Sequence, residues 1–295
     1  MAQPGLETVR AGALTTVQDL GRPGYAHLGV PRSGALDPAA HRLANRLLGN
    51  PETAATLETT LTGCAVRALA PTTAVVTGAP CPVTADGRPV PWGQPVRLAA
   101  GAVLDVGAAT HGVRSYVGFA GGLDAEPVLG SRATDLLSGL GPAPLSDGDT
   151  LPLASTRPVT GRTVPDAAPW AAPPRELVLP VAYGPRHDWF TEQGLRTLVT
   201  ATYRVSAASN RIGLRTEGPA LARARRGELA SEGMPLGAIQ VPPEGRPVLF
   251  LADHPTTGGY PVIGVVPSAA LGAAAQAAPG TAVRFTLTGR IHGGG

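Results

Sequence analysis

The sequence predicts a mainly β protein with a few short helices, on three observations. Its 39 Gly and 31 Pro fall between short apolar runs rather than in one low-complexity tract, the punctuation of strands joined by turns. Asp86-Gly87 stands between VTA and RPV, a two-residue loop favoured in β-hairpins. Val248 to Leu251 run apolar without a break inside Arg246–Ala252, flanked by PPEG and DHPTTGG. That pattern suits a strand buried on both faces.

Taken in order, the first strong signal is a helix. Asp37 is a good N-cap, Pro38 fits the first helical position and Gly49 suits the end. Ala39, Leu43, Ala44, Leu47 and Leu48 make its apolar stripe, with Arg42, Asn45 and Arg46 off it. Asn45 either reaches back to the preceding PRSG loop or is solvated. Strands are expected at Cys64–Leu69, Thr73–Thr77, Val83–Ala85, Val96–Leu98, Val103–Val106 and Val113–Phe119. Residues 154–174, rich in Pro and Ala and without periodicity, form a linker candidate. A second set of strands follows at Leu177–Ala182, Tyr203–Ser206, Gly213–Thr216 and Ala282–Leu287. Asp188 is expected to cap one helix and Ser268 another, Ala-rich one. AAGAVLDV, SDGDTLPL and APGTAVRF each place Gly two or three residues before a strand, a weak recurrence.

Composition narrows the chemistry. All 24 basic residues are Arg, and the chain contains no Lys. A Schiff-base lysine, a phosphate-loop lysine and a biotin-bearing lysine are therefore excluded within it. The net charge of +3 is mild and aromatics are only 4%, which argues against a nucleic-acid stripe. No apolar run approaches the length of about 18 residues that crosses a membrane. With no secretory signal in view, cytoplasmic residence is expected. Cys64 and Cys81 lack metal-ligand spacing and read as small buried hydrophobes; no metal site is expected.

Three passages hold candidate chemistry. The loop from 14 to 34 carries Asp19, Arg22 and Ser33, and two readings stand: a pair that pins a turn, or ligand contacts. The passage 119–135 offers Gly121, Gly122, Asp124, Ser131 and Arg132. Ser231–Gly264 combines Glu232, Asp253 and the run Thr256 to Gly259, whose glycines either turn the chain or let backbone N–H groups cup an anion. His187 beside Asp188 is either a catalytic pair or a capping feature.

Together, TVQDLGRPGYAHLGVPRSGALDPAAHRLANRLLGN, FAGGLDAEPVLGSRATD, SNRIGLRTEGPAL and SEGMPLGAIQVP…LADHPTTGGYPVIG resemble the KipA-like family, the C subunit of bacterial 5-oxoprolinase. The same module forms half of the carboxyltransferase region of urea carboxylase. The resemblance implies two cyclophilin-like β-barrel subdomains, residues 1–165 and 166–295, with a frayed tail at 290–295. It implies ATP-dependent opening of 5-oxo-L-proline to L-glutamate with a KipI-like B subunit and an A subunit. ATP would act at the level of the complex. The alternatives are a carboxyltransferase component using biotin carried on a separate protein, or a non-enzymatic module that binds a KipI-like partner.

Residue by residue, the resemblance implies catalytic roles for Asp253 and Glu232. It implies substrate contacts from Asp19, Arg22, Ser33, Gly34, Asp37, Asn45, Arg211, Gln240, Thr256, Thr257, Gly258, Gly259 and Tyr260. The substrate would be a small molecule. Pro255 and Val262 depart from the family's usual Gln and Lys. The Asp19–Arg22 and Ser33 loops are expected near Ser231–Gly264.

Overall fold

The computed structural model describes residues 4–154, 173–225, 227 and 229–288. The chain folds as two units. The first comprises Met1–Arg22, Ser33–Asp135 and Gly139–Pro173; the second comprises Pro23–Arg32, Leu136–Ser138 and Pro174–Gly295. Most of the expected linker and the tail at 290–295 lie outside the described residues.

Unit 1 contains strands β1 (Gly5–Arg10), β2 (Thr15–Gln18), β3 (Thr56–Thr60), β4 (Cys64–Ala68), β5 (Thr72–Gly78) and β6 (Val83–Ala85). It continues with β7 (Arg88–Pro89), β8 (Val96–Leu98), β9 (Val103–Val106), β10 (Arg114–Phe119) and β11 (Thr150–Pro152). They form two antiparallel sheets, ordered β11-β1-β4-β9-β6-β7 and β2-β3-β10-β5-β8. Leu6, Val66 and Leu104 from the first sheet share one core with Leu57, Val76, Val117 and Phe119 from the second. Each such side chain contributes about 1.5–3 kcal/mol on burial. Cys64 and Cys81 are free and buried, as expected.

Helix α1 (Pro38–Leu48) covers the outer face of the second sheet, so β10 is buried along its whole length. Leu43, Ala44, Leu47 and Leu48 pack on Val75, and Ala40 packs on Tyr116. A Cβ on Gly118 would lie 3.0 Å from Leu48 Cδ1 and 3.2 Å from Ala44 Cβ, so this glycine sets how closely helix and sheet approach. The expected caps are present. Asp37 Oδ1 accepts from Ala40 N at 3.1 Å, and Gly49 adopts φ 71° to end the helix.

The polar flank of α1 differs from its expectation. Asn45 is fully buried. Its amide donates to Ala54 O at 2.8 Å and accepts from Asn50 Nδ2 at 3.1 Å, tying the helix to the turn that follows. His41 is buried beside it, with Nε2 at 3.0 Å from Glu52 O and Nδ1 at 2.9 Å from Thr56 Oγ1. A carbonyl can only accept, so Nε2 carries the proton and the Thr56 hydroxyl donates to Nδ1.

Unit 2 contains β12 (Glu176–Tyr183), β13 (Tyr203–Val205), β14 (Gly213–Glu217), β15 (Glu232–Gly233), β16 (Ala238–Gln240) and β17 (Val248–Phe250). It ends with β18 (Thr257–Gly258), β19 (Val262–Val265) and β20 (Ala282–Leu287). Seven of these close a barrel in the order β12-β19-β16-β17-β14-β13-β20, while β15 and β18 form a separate two-stranded ribbon. The parallel pairing of β12 with β20 completes the ring, which leaves it no open edge. Leu214, Leu249 and Ile239 stand opposite one another in register and are no more than 1% exposed, so they fill the interior. On the other face Arg215, Val248, Gln240 and Val262 form a row across four neighbouring strands. Helix α2 (Glu192–Thr200) packs on β20, and α3 (Ser268–Ala275) on β12.

The fold is therefore mainly β with short helices, as the sequence predicts, with local corrections. The helix assigned to Asp188 starts at Glu192, capped by Thr191, whose Oγ1 accepts from Gly194 N at 3.0 Å. Asp188 lies in a preceding single turn. Ser268 is the first residue of α3 rather than its cap. The recurrent glycines share one device: Gly101, Gly148 and Gly280 all have φ between 83° and 90°, a left-handed turn two residues before a strand.

Two outcomes are expected. Gly118→Val should destabilise the protein by about 1–3 kcal/mol in urea unfolding, because the helix–sheet contact has no room for it. Burial lowers the His41 pKa from 6.5 to about 4. The folded state resists that proton, so stability is full above pH 6.5 and falls as pH drops toward 4, by about 3 kcal/mol. His41→Gln should flatten this part of the stability–pH curve. His254, whose pKa burial also lowers, keeps its own part.

Candidate functional site

In unit 1 the expected residues gather around two loops held together by side chains. The Asp19 carboxylate accepts from Gly21 N at 2.7 Å, Ser131 Oγ at 2.6 Å and Arg132 N at 2.7 Å. Arg22, 1% exposed, donates to Val128 O at 3.3 Å and also to Ala133 O. The 14–34 loop is thereby fastened to the 119–135 passage, so pinning is part of what Asp19 and Arg22 do. A Cβ on Gly34 (φ 89°) would come within 2.6 Å of Gly21 N, which requires glycine for this backbone approach. Ser33 is buried at φ 54°, an uncommon conformation for a residue with a side chain.

Beneath this loop lies a network that the sequence did not suggest. Glu58 Oε2 accepts from Leu36 N at 3.0 Å and from Tyr116 Oη at 2.7 Å. Tyr116 in turn accepts from Asp37 N at 2.7 Å, and Arg114 pairs with Glu58 at 3.6 Å. Burial, then the adjacent Glu58 charge, holds the Tyr116 phenol protonated far above its ordinary pKa. It can therefore keep donating at any working pH.

In unit 2 Arg211 and Asp253, both 0% exposed, form a two-pronged ion pair. Nε lies 2.9 Å from Oδ2 and one terminal nitrogen 3.0 Å from Oδ1. Leu136 N adds a third donor to Asp253 at 3.2 Å, and Asp253 N donates to Arg211 O at 3.1 Å. The strand leading to Asp253 is shorter than expected, ending at Phe250.

Glu232 sits in a different setting. Its side chain is 29% exposed and takes a two-pronged contact from Arg186, one prong at 3.0 Å. The Arg186 guanidinium holds its carboxyl below the usual carboxylate range. Glu232 pairs with Gly258 and Gly233 with Thr257 across the β15–β18 ribbon. Neither Gly258 nor Gly259 has positive φ. Gly258 is small for another reason: a Cβ there would lie 2.7 Å from Gln240 Nε2. Gln240 also donates to Tyr260 O at 3.4 Å, and Thr256 O accepts from Met234 N at 2.8 Å. Unit 2 thus brings Glu232, Gln240 and the stretch Thr256–Tyr260 together around one ribbon. Val262, where the resemblance leads one to expect Lys, lies directly across from Gln240 and packs with Val248 and Phe250.

His187 stacks on Tyr183 at 5.4 Å and bonds Gly184 O at 2.8 Å, while Asp188 pairs with Arg225 at 2.6 Å. No hydrogen bond or ion pair joins the two side chains among the described residues. Among the described residues no cluster of His, Cys, Asp or Glu could hold a metal ion, and no helix is long and apolar enough to cross a membrane.

If the Arg211–Asp253 pair is structural, Asp253→Asn should cost about 3–5 kcal/mol by leaving a buried guanidinium uncompensated. The double change Arg211→Met with Asp253→Leu should recover part of that loss in urea unfolding. Wild-type stability of Asp253→Asn would contradict this.

Comparison with known proteins agrees with the fold. The carboxyltransferase domain, subdomain A and B, matches residues 28–287. The C subunit of 5-oxoprolinase from Escherichia coli K12 is 36% identical over 95% of this chain and 90% of its own length. Urea amidolyase of Saccharomyces cerevisiae is 33% identical over 95% of this chain, which spans only 16% of that enzyme. The crystal structure of TTHA0988 superposes with a TM-score of 0.86 at 37% identity, covering 96% of this chain and 56% of that one. The chain belongs to the carboxyltransferase subdomain A and B family, together with the C subunits of 5-oxoprolinase.

Proposed function

We propose that this chain is a subunit of an ATP-dependent 5-oxoprolinase that opens 5-oxo-L-proline to L-glutamate with a KipI-like B subunit and an A subunit. The observation that carries this reading is the end-to-end similarity to the C subunit of the Escherichia coli 5-oxoprolinase, 36% identical across 90% of that relative. A lactam is a poor electrophile. Transfer of the γ-phosphoryl group of ATP to its carbonyl oxygen releases ADP and leaves a carbon that water can attack. Attack by that water and cleavage of the ring C–N bond, with the nitrogen taking up a proton, give γ-glutamyl phosphate, which a second water hydrolyses to glutamate and phosphate. In this chain the contacts to anionic groups fall to arginines, since a phosphate-loop lysine is excluded by composition.

Of the two expected acid–base residues, Glu232 has the better access. It is partly exposed and kept ionised by Arg186, so it can orient water or accept its proton. Asp253 is enclosed by Arg211 and acts through the shape of the site. The hydroxyls and N–H groups of Thr256–Gly259, beside Gln240 and Tyr260, would face developing oxyanion charge. Asp19, Arg22, Ser33, Gly34, Asp37 and Asn45 enter as the residues that set the loops of unit 1. The similarity to urea amidolyase supports a second reading, a carboxyltransferase component. Biotin would then have to be carried on another protein, because this chain has no lysine to attach it.

Reconstitution with both other subunits tests the proposal. 5-Oxoproline-dependent ATP hydrolysis should require this chain, and turnover unchanged by its omission would refute the reading. Glu232→Gln should lower kcat by about 100-fold or more with little loss of stability, since its ion pair lies at the surface.

A further inference from the structure

On the barrel face opposite the packed interior, unit 2 has a pocket of about 330 Å³, within the range of small-molecule sites. Arg215, Val248 and Gln240, consecutive members of the cross-strand row, line it together with Phe250, Tyr260 and Glu244. Its chemistry is asymmetric. Val248 and Phe250 supply an apolar wall. Arg215 is exposed, and no ion pair or side-chain hydrogen bond engages its guanidinium among the described residues. Glu244 lines the same pocket beyond ion-pairing distance of it. Gln240 is 8% exposed. Its Nε2 is directed at Tyr260 O, while its Oε1 takes no hydrogen bond among the described residues.

A cation at one side, an apolar wall between and an unused amide oxygen define a complementary ligand. We propose that this pocket binds a small cyclic monocarboxylate bearing a ring N–H. The carboxylate lies against Arg215, the ring on Val248 and Phe250, and the N–H donates to Gln240 Oε1. The choice of a cyclic amide acid rests on the functional reading above. The assignment of Arg215 rests on the pocket alone and differs from the sequence expectation, whose substrate-contacting arginines were Arg22 and Arg211. Arg211 already forks onto Asp253 at 0% exposure.

Calorimetric titration of the full chain provides the test, using 5-oxo-L-proline, cyclopentanecarboxylate and 2-pyrrolidinone as probes. 5-Oxo-L-proline should bind most tightly. Arg215→Gln should weaken both carboxylates by about tenfold or more, as loss of a charge-assisted contact does, and leave 2-pyrrolidinone unchanged. Gln240→Leu should erase the preference for 5-oxo-L-proline over cyclopentanecarboxylate. Arg215 is exposed, so Arg215→Gln should melt with the wild type, and binding can be compared in a folded protein. Carboxylate binding indifferent to Arg215→Gln, or binding of neither carboxylate by the wild type, would overturn the proposal. Arg215-dependent carboxylate binding in a chain whose reconstituted complex lacks 5-oxoproline-dependent ATP hydrolysis would refute the functional reading and leave the pocket standing.

Discussion

A carboxylate taken out of water must find its hydrogen-bond donors inside the protein; among the described residues Asp19, Asp37, Glu58, Asp135 and Asp253 are buried, and three of them gather donors from several parts of the chain. Asp19 receives two backbone N–H groups and the Ser131 hydroxyl. Glu58 receives Leu36 N and the Tyr116 hydroxyl beside Arg114. Asp253 receives the Arg211 fork and Leu136 N. Left unmatched, a buried charge costs several kcal/mol. Most of these donors are remote in sequence, so a loop that slipped by one residue would expose that cost. The carboxylates thereby fix the loops that carry the candidate residues, and the sheets supply the platform against which they are fixed.

That dependence explains what could be read in advance. Helix α1 was legible because its caps and stripe are local, and β4 to β10 because their runs are apolar and short. Strands β2 and β3 carry no such apolar run. Thr15, Thr16, Gln18, Thr56, Glu58 and Thr59 are polar by type yet no more than 1% exposed. Their side chains are satisfied by hydrogen bonds such as Thr15 Oγ1 to Ala11 O at 2.7 Å and Gln18 Nε2 to Thr134 O at 3.0 Å. Hydrophobic periodicity cannot register a strand buried in this way. The motif residues themselves could be named from the sequence, but not their partners. Nothing near Asp253 announces that its counter-ion is Arg211, and Arg215 matters only through a row assembled from separate strands.

The glycine run illustrates the same limit. Thr256 to Gly259 suggests a cradle in which the backbone approaches a ligand. In the fold, Gly258 belongs to a strand, and its missing Cβ makes room for the Gln240 amide. The glycine acts at one remove, by letting a polar side chain lie across the ribbon and reach the pocket wall. A substitution there would first displace Gln240, and would alter recognition through that displacement rather than by closing off a backbone N–H.

The absence of lysine gives these arrangements a common logic. A guanidinium is flat, carries parallel donors and stays charged at any working pH, which suits the two-pronged pairs Arg211–Asp253, Arg186–Glu232 and Arg284–Glu176. Once a fork is matched to a carboxylate in this way it is a fixture of the fold. Recognition of an anion then falls to an arginine that the fold leaves facing open space, as it does Arg215. That charge does not titrate, whereas His254, stacked on the lining Phe250 with its pKa lowered by burial, does. A lysine at the same place would have been a mobile point charge; an arginine adds direction, and the pocket discriminates by the orientation of the carboxylate as well as by its charge.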